Sequence, residues 1–198
     1  MKKAIYLILI LFVTILTTGC INNLAIEELN NKAAEYMEKG DYPNAISRLE
    51  ASIDLDNSIF ETQYNLAIAY TENEDYDKAI ETFNKAIKLN DKKADVYYSL
   101  AVAYENYAKS IYNGETKEQK ELKDDENPDN NSQFDEKGNY KATKDEIDNV
   151  KNYYNLAIEN YNKYSELNTS NNSYTNINEK IDELKQILDT LNNSEATN

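Results

Sequence analysis

The sequence predicts an all-α fold of stacked helical hairpins, with three units, an elongated third unit and a closing C-terminal helix. Three observations support this class. The 198 residues include only four glycines and two prolines, so residues that break helices or form tight turns between strands are few. Apolar residues recur at three- and four-residue steps along most of the chain, as in amphipathic helices. The sequence also repeats itself every 34 residues, a period typical of stacked helix–turn–helix units.

The composition excludes several kinds of chemistry. Without histidine, the chain has no imidazole base, no Ser-His or Cys-His nucleophile pair and no histidine metal ligand. Its one cysteine can form neither an internal disulfide nor a thiolate zinc site. A net charge of −15 disfavours nucleic acid, because phosphates are bound by Lys and Arg. We therefore expect no cofactor, no bound metal, no nucleic-acid partner and no catalytic activity.

Residues 1–19 have the layout of a secretory signal. Two lysines precede an apolar run that ends at residue 16 and is shorter than the roughly 20 residues of a spanning helix. Two threonines, a glycine and Cys20 follow, which resembles the lipobox of bacterial lipoproteins, although Thr17 stands where leucine is usual. The resemblance implies cleavage before Cys20 and a diacylglycerol on its sulfur. The short tether 20–25 would then hold the domain at the extracytoplasmic face of the cell membrane.

The 34-residue period places small and aromatic residues at fixed positions in successive units. The residues of this signature are Ala33, Tyr36, Ala45, Ala67, Tyr70, Ala79, Ala101, Tyr104 and Ala157. The pattern resembles the tetratricopeptide repeat (TPR) over about residues 26–112 and 150–169. The resemblance implies a TPR-like helix–turn–helix solenoid in which helices A and B alternate. The alanines would lie where A and B cross closely, and the tyrosines would fill the space between the helices.

Three units and a capping helix account for residues 26–191. The units cover about residues 26–59, 60–93 and 94–112 together with 144–169. Unit three is divided because the alanine that opens its helix B, Ala157, stands 44 residues later than the period requires. After it, apolar residues at helical steps predict a capping helix over 174–191, followed by a disordered tail, 192–198.

The insertion in unit three covers residues 113–143. Helical spacing continues on both sides of it, which predicts that both helices of unit three are extended and pair with each other beyond the array. The second of these helices is expected to begin with a capping box formed by Thr143 and Glu146. The remainder is polar and acidic and predicts a loop, with a turn or a small hairpin within 134–140.

In TPR proteins the A helices line a concave groove. The angular position of each residue around its helix, relative to the packing face, assigns one stripe of each A helix to this groove. The rows of this stripe are Glu27, Glu61 and Asp95; Asn30, Tyr64 and Tyr98; Ala34, Ile68 and Val102; and Met37, Thr71 and Glu105. Tyrosines beside an apolar floor suit an extended or helical peptide, and the acidic row favours Lys or Arg on that peptide. The alternative is ordinary array surface, covered by the capping helix or by the extended hairpin.

Two more specific sites are disfavoured by individual residues. TPR domains that bind a C-terminal carboxylate use Lys, Asn and Arg on helix A, whereas unit three has Asp95 and Ser99 where the basic residues would stand. Residues 135–146 have the length of an EF-hand calcium loop. However, Lys137 occupies a ligand position and Tyr140 replaces the required glycine, which favours a solvated acidic loop.

The expected function is therefore a lipid-anchored, extracytoplasmic scaffold that binds a protein or peptide bearing basic and apolar residues. A second possibility places partner binding on the insertion, 113–143, with the array as a rigid spacer. A third possibility is a hydrolase acting on cell-wall polymers. It is disfavoured because signal cleavage removes two of the 21 basic residues, and the resulting net charge of −17 would be repelled by anionic wall polymers.

Overall fold

The computed structural model describes residues 22–124, 140–168 and 176–195. Within these ranges the fold is all-α, which confirms the predicted class. The helices are α1 (22–38), α2 (Tyr42–Leu55), α3 (Phe60–Glu72), α4 (Tyr76–Leu89), α5 (Ala94–Asn113), α6 (Lys117–Asp124), α7 (Lys144–Leu167) and α8 (Ile177–Glu195). The predicted signal segment and Cys20 lie outside the described residues. No helix in the described ranges has both the length and the apolar character needed to cross a membrane.

The helices stack in the order of the chain. Helix α3 packs against α2 and α4, α5 packs against α4 and α7, and α8 packs against α7. The three A helices are therefore α1, α3 and α5, and the three B helices are α2, α4 and α7. One continuous apolar core runs from unit one to α8, as expected when each unit can bury its apolar face only against its neighbours.

The alanines of the repeat signature lie where the helices cross. All six are buried, with exposed fractions of 0–1%, because a methyl side chain allows two backbones to approach closely. Of the signature tyrosines, Tyr70 and Tyr104 are buried and Tyr36 is partly buried against the core. Leu49 and Phe83, which are 34 residues apart, are both fully buried at equivalent places in the B helices.

The turns from helix A to helix B share one geometry in units one and two. The backbone adopts the left-handed conformation at Gly40 (φ 71°) and at the equivalent Glu74 (φ 61°). In each turn the next N–H donates back to the helix, from Asp41 to the Tyr36 carbonyl and from Asp75 to the Tyr70 carbonyl, both at 2.9 Å. Such bonds satisfy carbonyls that the end of a helix leaves open.

Unit three has no turn at the equivalent place. The residue 34 positions after Glu74 is Ala108, which is helical and fully buried within α5. Helix α5 continues to Asn113 and ends at Gly114, which adopts the left-handed conformation (φ 70°). Its extension pairs with α7, where the Tyr153 ring lies 4.7 Å from the Tyr107 ring between centroids. The predicted extension and pairing of both helices are confirmed.

The start of α7 has the predicted capping box. The Glu146 N–H donates to Thr143 Oγ1 at 3.3 Å, and the Thr143 N–H donates to Glu146 Oε2 at 2.7 Å. Two backbone donors that the helix cannot satisfy internally are thereby paired. This prediction is also confirmed.

Part of the insertion is folded, in contrast to the loop that its composition predicts. Residues 117–124 form α6, and Gln119 is buried at 6% exposure. Gln119 Nε2 lies 3.2 Å from the Ile111 carbonyl, 3.0 Å from Tyr140 Oη and 2.8 Å from Glu146 Oε1. These contacts join both ends of the insertion to the tip of the hairpin. The turn predicted within 134–140 falls mostly outside the described residues.

Helix α6 is also attached to the second unit. Lys117 Nζ lies 2.5 Å from Asp75 Oδ1, and Lys120 Nζ lies 2.8 Å from Glu74 Oε2. Both acids belong to the turn between α3 and α4. Ion pairs as exposed as these contribute little individually, so the buried Gln119 contributes more to the position of α6.

Both ends of the domain are more helical than the sequence predicts. Helix is already present at residue 22, within the expected tether 20–25, because Ile26 is buried against the fold and residues 22–25 contain neither Gly nor Pro. The capping helix starts at Ile177 and continues to Glu195, into the tail expected to be disordered from residue 192. Neither Gly nor Pro follows Leu191, so nothing stops the helix there.

Gly114→Ala should destabilise the domain more than Gly40→Ala. A Cβ at Gly114 would lie 2.6 Å from Cβ and 2.8 Å from Cδ1 of Tyr140, whereas a Cβ at Gly40 meets nothing within 4 Å. Both substitutions cost about 1–2 kcal/mol because of the left-handed backbone, and the clash adds about 1–3 kcal/mol at Gly114. Urea unfolding of the mature domain measures both losses. Equal losses would mean that Tyr140 does not pack on Gly114.

Candidate functional site

The acidic row predicted for the concave surface is exposed. Glu27, Glu61 and Asp95 occupy equivalent positions in α1, α3 and α5. Within the described part of the chain, no hydrogen bond or ion pair engages any of the three carboxylates. Glu61 and Asp95 lie in the first turns of their helices, where a carboxylate also stabilises the helix dipole by about 0.3–1 kcal/mol. The row therefore offers one uncompensated negative charge per unit.

The polar-aromatic row connects neighbouring A helices. Asn30 Nδ2 donates to Thr62 Oγ1 at 3.0 Å, which joins α1 to α3. Tyr64 Oη lies 3.0 Å from Ser99 Oγ, which joins α3 to α5. Asn30 and Tyr64 therefore belong to the predicted surface and also help to fix the distances between neighbouring A helices. The role of Ser99 in this contact was not visible from helical phase, which identifies the face of a residue but not its partner.

The two tyrosines of this row are half-buried, and other rings hold them in place. The Tyr64 ring stacks on Phe60 with centroids 5.7 Å apart. The Tyr98 ring lies 5.7 Å from Tyr161 and 5.5 Å from Tyr164, both on α7. Their orientation is fixed by packing before any ligand binds, so little side-chain entropy would be lost on contact.

The apolar row lies beside these tyrosines. Ile68 and Val102 are half-buried and pack against the core, whereas Ala34 is exposed. Half-buried side chains of this kind leave apolar area available to a partner. We call the face of the A helices that carries these three rows the concave surface, after the groove that the TPR resemblance implies.

The last row of the predicted stripe is not available to a ligand in units two and three. Thr71 is buried, and its hydroxyl donates to the Ala67 carbonyl at 2.9 Å. Glu105 is 4% exposed. In unit one, Met37 is half-buried against the core. The exposed part of the stripe is therefore shorter than the positions around the helix predict. Thr71 is bonded to the preceding turn of its own helix, and Glu105 is bonded to α8.

Glu105 binds the capping helix. Its carboxylate lies 2.5 Å from Lys109 Nζ and 2.8 Å from Lys180 Nζ of α8, and accepts a hydrogen bond from Tyr161 Oη at 3.1 Å. Burial raises the pKa of Glu105, but hydrogen bonds from Lys109 and Lys180 outweigh it and hold the pKa below its usual value. One buried carboxylate thus joins α5, α7 and α8.

Metal binding finds no support in the described residues. No group of three or more acidic, cysteine or histidine side chains there could hold a metal ion. The acidic stretch 135–146, which has the length of a calcium loop, lies partly outside the described ranges.

The comparisons with known proteins point to one fold. The sequence pattern described as "TPR repeat" matches residues 69–106. The structure is similar to the first TPR of Spaghetti (RPAP3) bound to the HSP90 peptide SRMEEVD, with a TM-score of 0.54 at 16% identity, covering 83% of this chain and 94% of that one. Among curated proteins, no sequence matches this chain.

Two further solved structures agree. The Arabidopsis OM64 TPR domain has a TM-score of 0.55 at 14% identity, covering 82% of this chain and 98% of its own. The TPR2B domain of yeast Sti1, in a complex with pHsp70, has a TM-score of 0.51 at 18% identity, covering 84% and 98%. At such identities the likeness establishes the fold, and the predicted TPR-like solenoid is confirmed.

Glu105→Gln should destabilise the domain by about 1–3 kcal/mol, because two lysines lose a buried carboxylate. It should also weaken the acid sensitivity of the domain. Because the pKa of Glu105 is lowered in the folded state, its ionised carboxylate stabilises the fold at pH values above the usual carboxyl pKa of 4.5. This stabilisation is lost as the pH falls from 4.5 through the folded-state pKa. Thermal unfolding between pH 7 and 3, with the exposed Glu28→Gln as control, measures both effects. A variant as acid-sensitive as wild type would contradict this role.

Proposed function

We propose that this protein is a membrane-anchored, extracytoplasmic scaffold that binds a protein or peptide through the concave surface, without catalysis. The observation that carries the proposal is the row of exposed acids Glu27, Glu61 and Asp95 beside the half-buried Ile68 and Val102. A segment with Lys or Arg at intervals, and apolar residues between them, complements this arrangement in charge and in polarity.

The solved neighbours support binding of a peptide, but the peptide bound to the first of them is acidic, whereas the ligand proposed here is basic. The Spaghetti (RPAP3) TPR is bound to SRMEEVD, which carries three acidic residues. In this chain the concave surface presents Glu61 and Asp95 and no basic side chain in its predicted stripe. An acidic C-terminal peptide would be repelled, so the proposed ligand is basic and apolar.

Anchoring is proposed from the sequence alone. The apolar run followed by Gly19 and Cys20 resembles a lipoprotein signal, and a diacylglycerol on Cys20 would hold the mature chain at the membrane. Two acyl chains anchor stably, whereas one does not. Because helix is already present at residue 22, the domain would lie close to the bilayer.

A second candidate surface is α6 of the insertion. Its attachment to the array through the buried Gln119 and through Lys117 and Lys120 presents α6 in a fixed position rather than as a loose loop. Under this alternative the array acts as a spacer. Lys117→Glu/Lys120→Glu would replace both ion pairs with like-charge contacts at the acidic turn and would change the surface that α6 presents, so it discriminates between the two surfaces.

The mature domain should bind the peptide SRMKKVK more tightly than SRMEEVD at 0.15 M salt. Glu61→Lys/Asp95→Lys should weaken binding of the basic peptide about tenfold, because two favourable charge contacts become repulsive. Fluorescence anisotropy with labelled peptides measures these affinities.

A matched control separates the concave surface from net charge. Asp54→Lys/Glu159→Lys changes the charge equally at exposed positions of the B helices and should leave most of the affinity. An equal loss in both double variants would show non-specific attraction and sink the proposal. A loss confined to Lys117→Glu/Lys120→Glu would move the site to α6.

Cys20→Ser should release the protein from the membrane. Without the thiol no diacylglycerol can be attached, so the chain loses the two acyl chains that hold it. Fractionation of cells that express each form, with detergent-phase partitioning of the membrane fraction, measures the change. Equal partitioning of wild type and Cys20→Ser into the detergent phase would exclude lipid anchoring.

A further inference from the structure

The exposed leucines of the described chain lie at one edge of the array. Leu24 is 69% exposed, Leu55 41% and Leu89 40%. Leu24 stands 16 residues before the turn residue Gly40, and Leu55 stands 15 residues after it. At about 1.5 Å per helical residue, both lie roughly 23 Å from that turn, on the two helices that it joins. Leu89 stands 15 residues beyond Glu74, the turn residue of unit two.

We call this edge, formed by the start of α1 and the ends of α2 and α4, the leucine edge. At the equivalent place in unit three, Leu167 ends α7 and is half-buried. The other large apolar side chain that is exposed in the described chain, Tyr112, lies at the opposite edge, beyond Ala108, which is equivalent to Glu74. Single exposed leucines are ordinary, whereas leucines collected at one edge indicate a surface that contacts something apolar.

The proposed lipid anchor would attach to the same edge. Cys20 precedes Asn22, with which the described part of α1 begins, by two residues. Two residues span at most about 7 Å, so a diacylglycerol on Cys20 would hold the start of α1 at the bilayer surface. Because α1 starts at the leucine edge, this edge would then face the bilayer. The position of Cys20 in the sequence therefore indicates what covers the leucines.

Free lysines surround one of the leucines. Lys88, Lys92 and Lys93 are exposed, and none of the three ammonium groups forms an ion pair with another described residue. Asp91 lies in the same turn, so residues 88–93 carry three positive charges and one negative charge. Ammonium groups beside the exposed Leu89 suit the phosphates of lipid headgroups, since lysine stems can lie along apolar surface while their charges stay in water.

The rest of the leucine edge is acidic. Asp54 and Asp56 flank Leu55, and two glutamates follow Leu24 at positions 27 and 28. The edge as a whole therefore has no excess of positive charge that would attract an anionic membrane. Docking would depend on the leucines, on local contacts between the lysines and phosphates, and on the anchor that keeps the edge at the bilayer.

We propose that the leucine edge docks onto the bilayer that holds the lipid anchor, with Leu24, Leu55 and Leu89 inserted among the headgroups. The inference rests on the membrane anchoring proposed above. Each leucine alone binds weakly, but the anchor makes the contact intramolecular and raises its effective concentration. The helices then stand on the membrane, and the tip of the extended hairpin with α6 points away from it.

The test couples residues 20–198 through Cys20, the one thiol of the chain, to a maleimide lipid in phosphatidylcholine vesicles. The chain contains no tryptophan, so Leu55→Trp and Leu89→Trp each introduce a single fluorescent reporter. Brominated phosphatidylcholine quenches tryptophan that enters the bilayer. Both reporters should be quenched at least about twofold more strongly than Tyr112→Trp, the matched control at the opposite edge. Equal quenching of all three reporters, or none, would overturn the proposal.

A second set of variants tests the leucines themselves. In the Leu55→Trp chain, Leu24→Ser/Leu89→Ser should lower the quenching at least about twofold, because two of the inserted side chains become polar. Circular dichroism melts confirm that the variants are folded. Unchanged quenching in the folded variant would contradict insertion of the edge.

A charge-matched pair of variants tests the lysines. Lys88→Glu/Lys92→Glu/Lys93→Glu should also lower the quenching of Leu55→Trp, because three contacts to phosphates become repulsive. The control Lys39→Glu/Lys141→Glu/Lys144→Glu makes the same change in net charge at exposed positions near the opposite edge and should leave the quenching unchanged. An equal loss in both triple variants would contradict the local role of the lysines.

Failure of docking is distinguishable from failure of the anchor. Chemical coupling supplies an anchor in the vesicles, whereas Cys20→Ser in cells tests the natural one. Anchoring in cells without quenching of Leu55→Trp or Leu89→Trp overturns docking and leaves the anchor. Quenching in vesicles without anchoring in cells excludes the anchor and leaves the leucine edge as a membrane-binding surface.

Discussion

The close approach of helices A and B at buried alanines is the constraint on which the rest of this structure depends. Ala45 and Ala79 are fully buried in the first turns of α2 and α4, and Ala157 is fully buried in the middle of the longer α7. A larger side chain there would separate the two helices, and the change would pass to the next unit because each unit packs on its neighbours. The spacing of α1, α3 and α5, and with it the form of the concave surface, follows from these small residues.

Unit three departs from the repeat, and this departure explains the features that units one and two lack: the extended helices α5 and α7 and the attachment of α6. Units one and two turn after helix A because Gly40 and Glu74 adopt left-handed backbone. At the equivalent place Ala108 remains helical, so α5 runs on and needs a longer α7 to cover it. The extended hairpin then provides the tip to which α6 is attached.

The sequence was sufficient for features that depend on local spacing and on the repeat. The all-α class, the extended pair of helices and the capping box of Thr143 with Glu146 follow from periodicity and short-range chemistry. Buried polar contacts between distant residues did not follow. Gln119 meets Glu146 across 27 residues and Glu105 meets Lys180 across 75. The buried members of these pairs, Gln119 and Glu105, are polar residues that composition alone would assign to the surface.

This difference also decides which acids can act on a partner. Glu105 and Glu146 occupy helical positions no more unusual than that of Glu61. However, lysine, tyrosine and amide donors bind the buried carboxylate of Glu105 and the half-buried carboxylate of Glu146. These donors compensate the two negative charges within the fold, as a carboxylate removed from water requires. Glu27, Glu61 and Asp95 have no such partners among the described residues. The charge left for recognition is therefore set by the contacts that neutralise other acids, and within the predicted stripe of the A helices it falls on one residue in each unit.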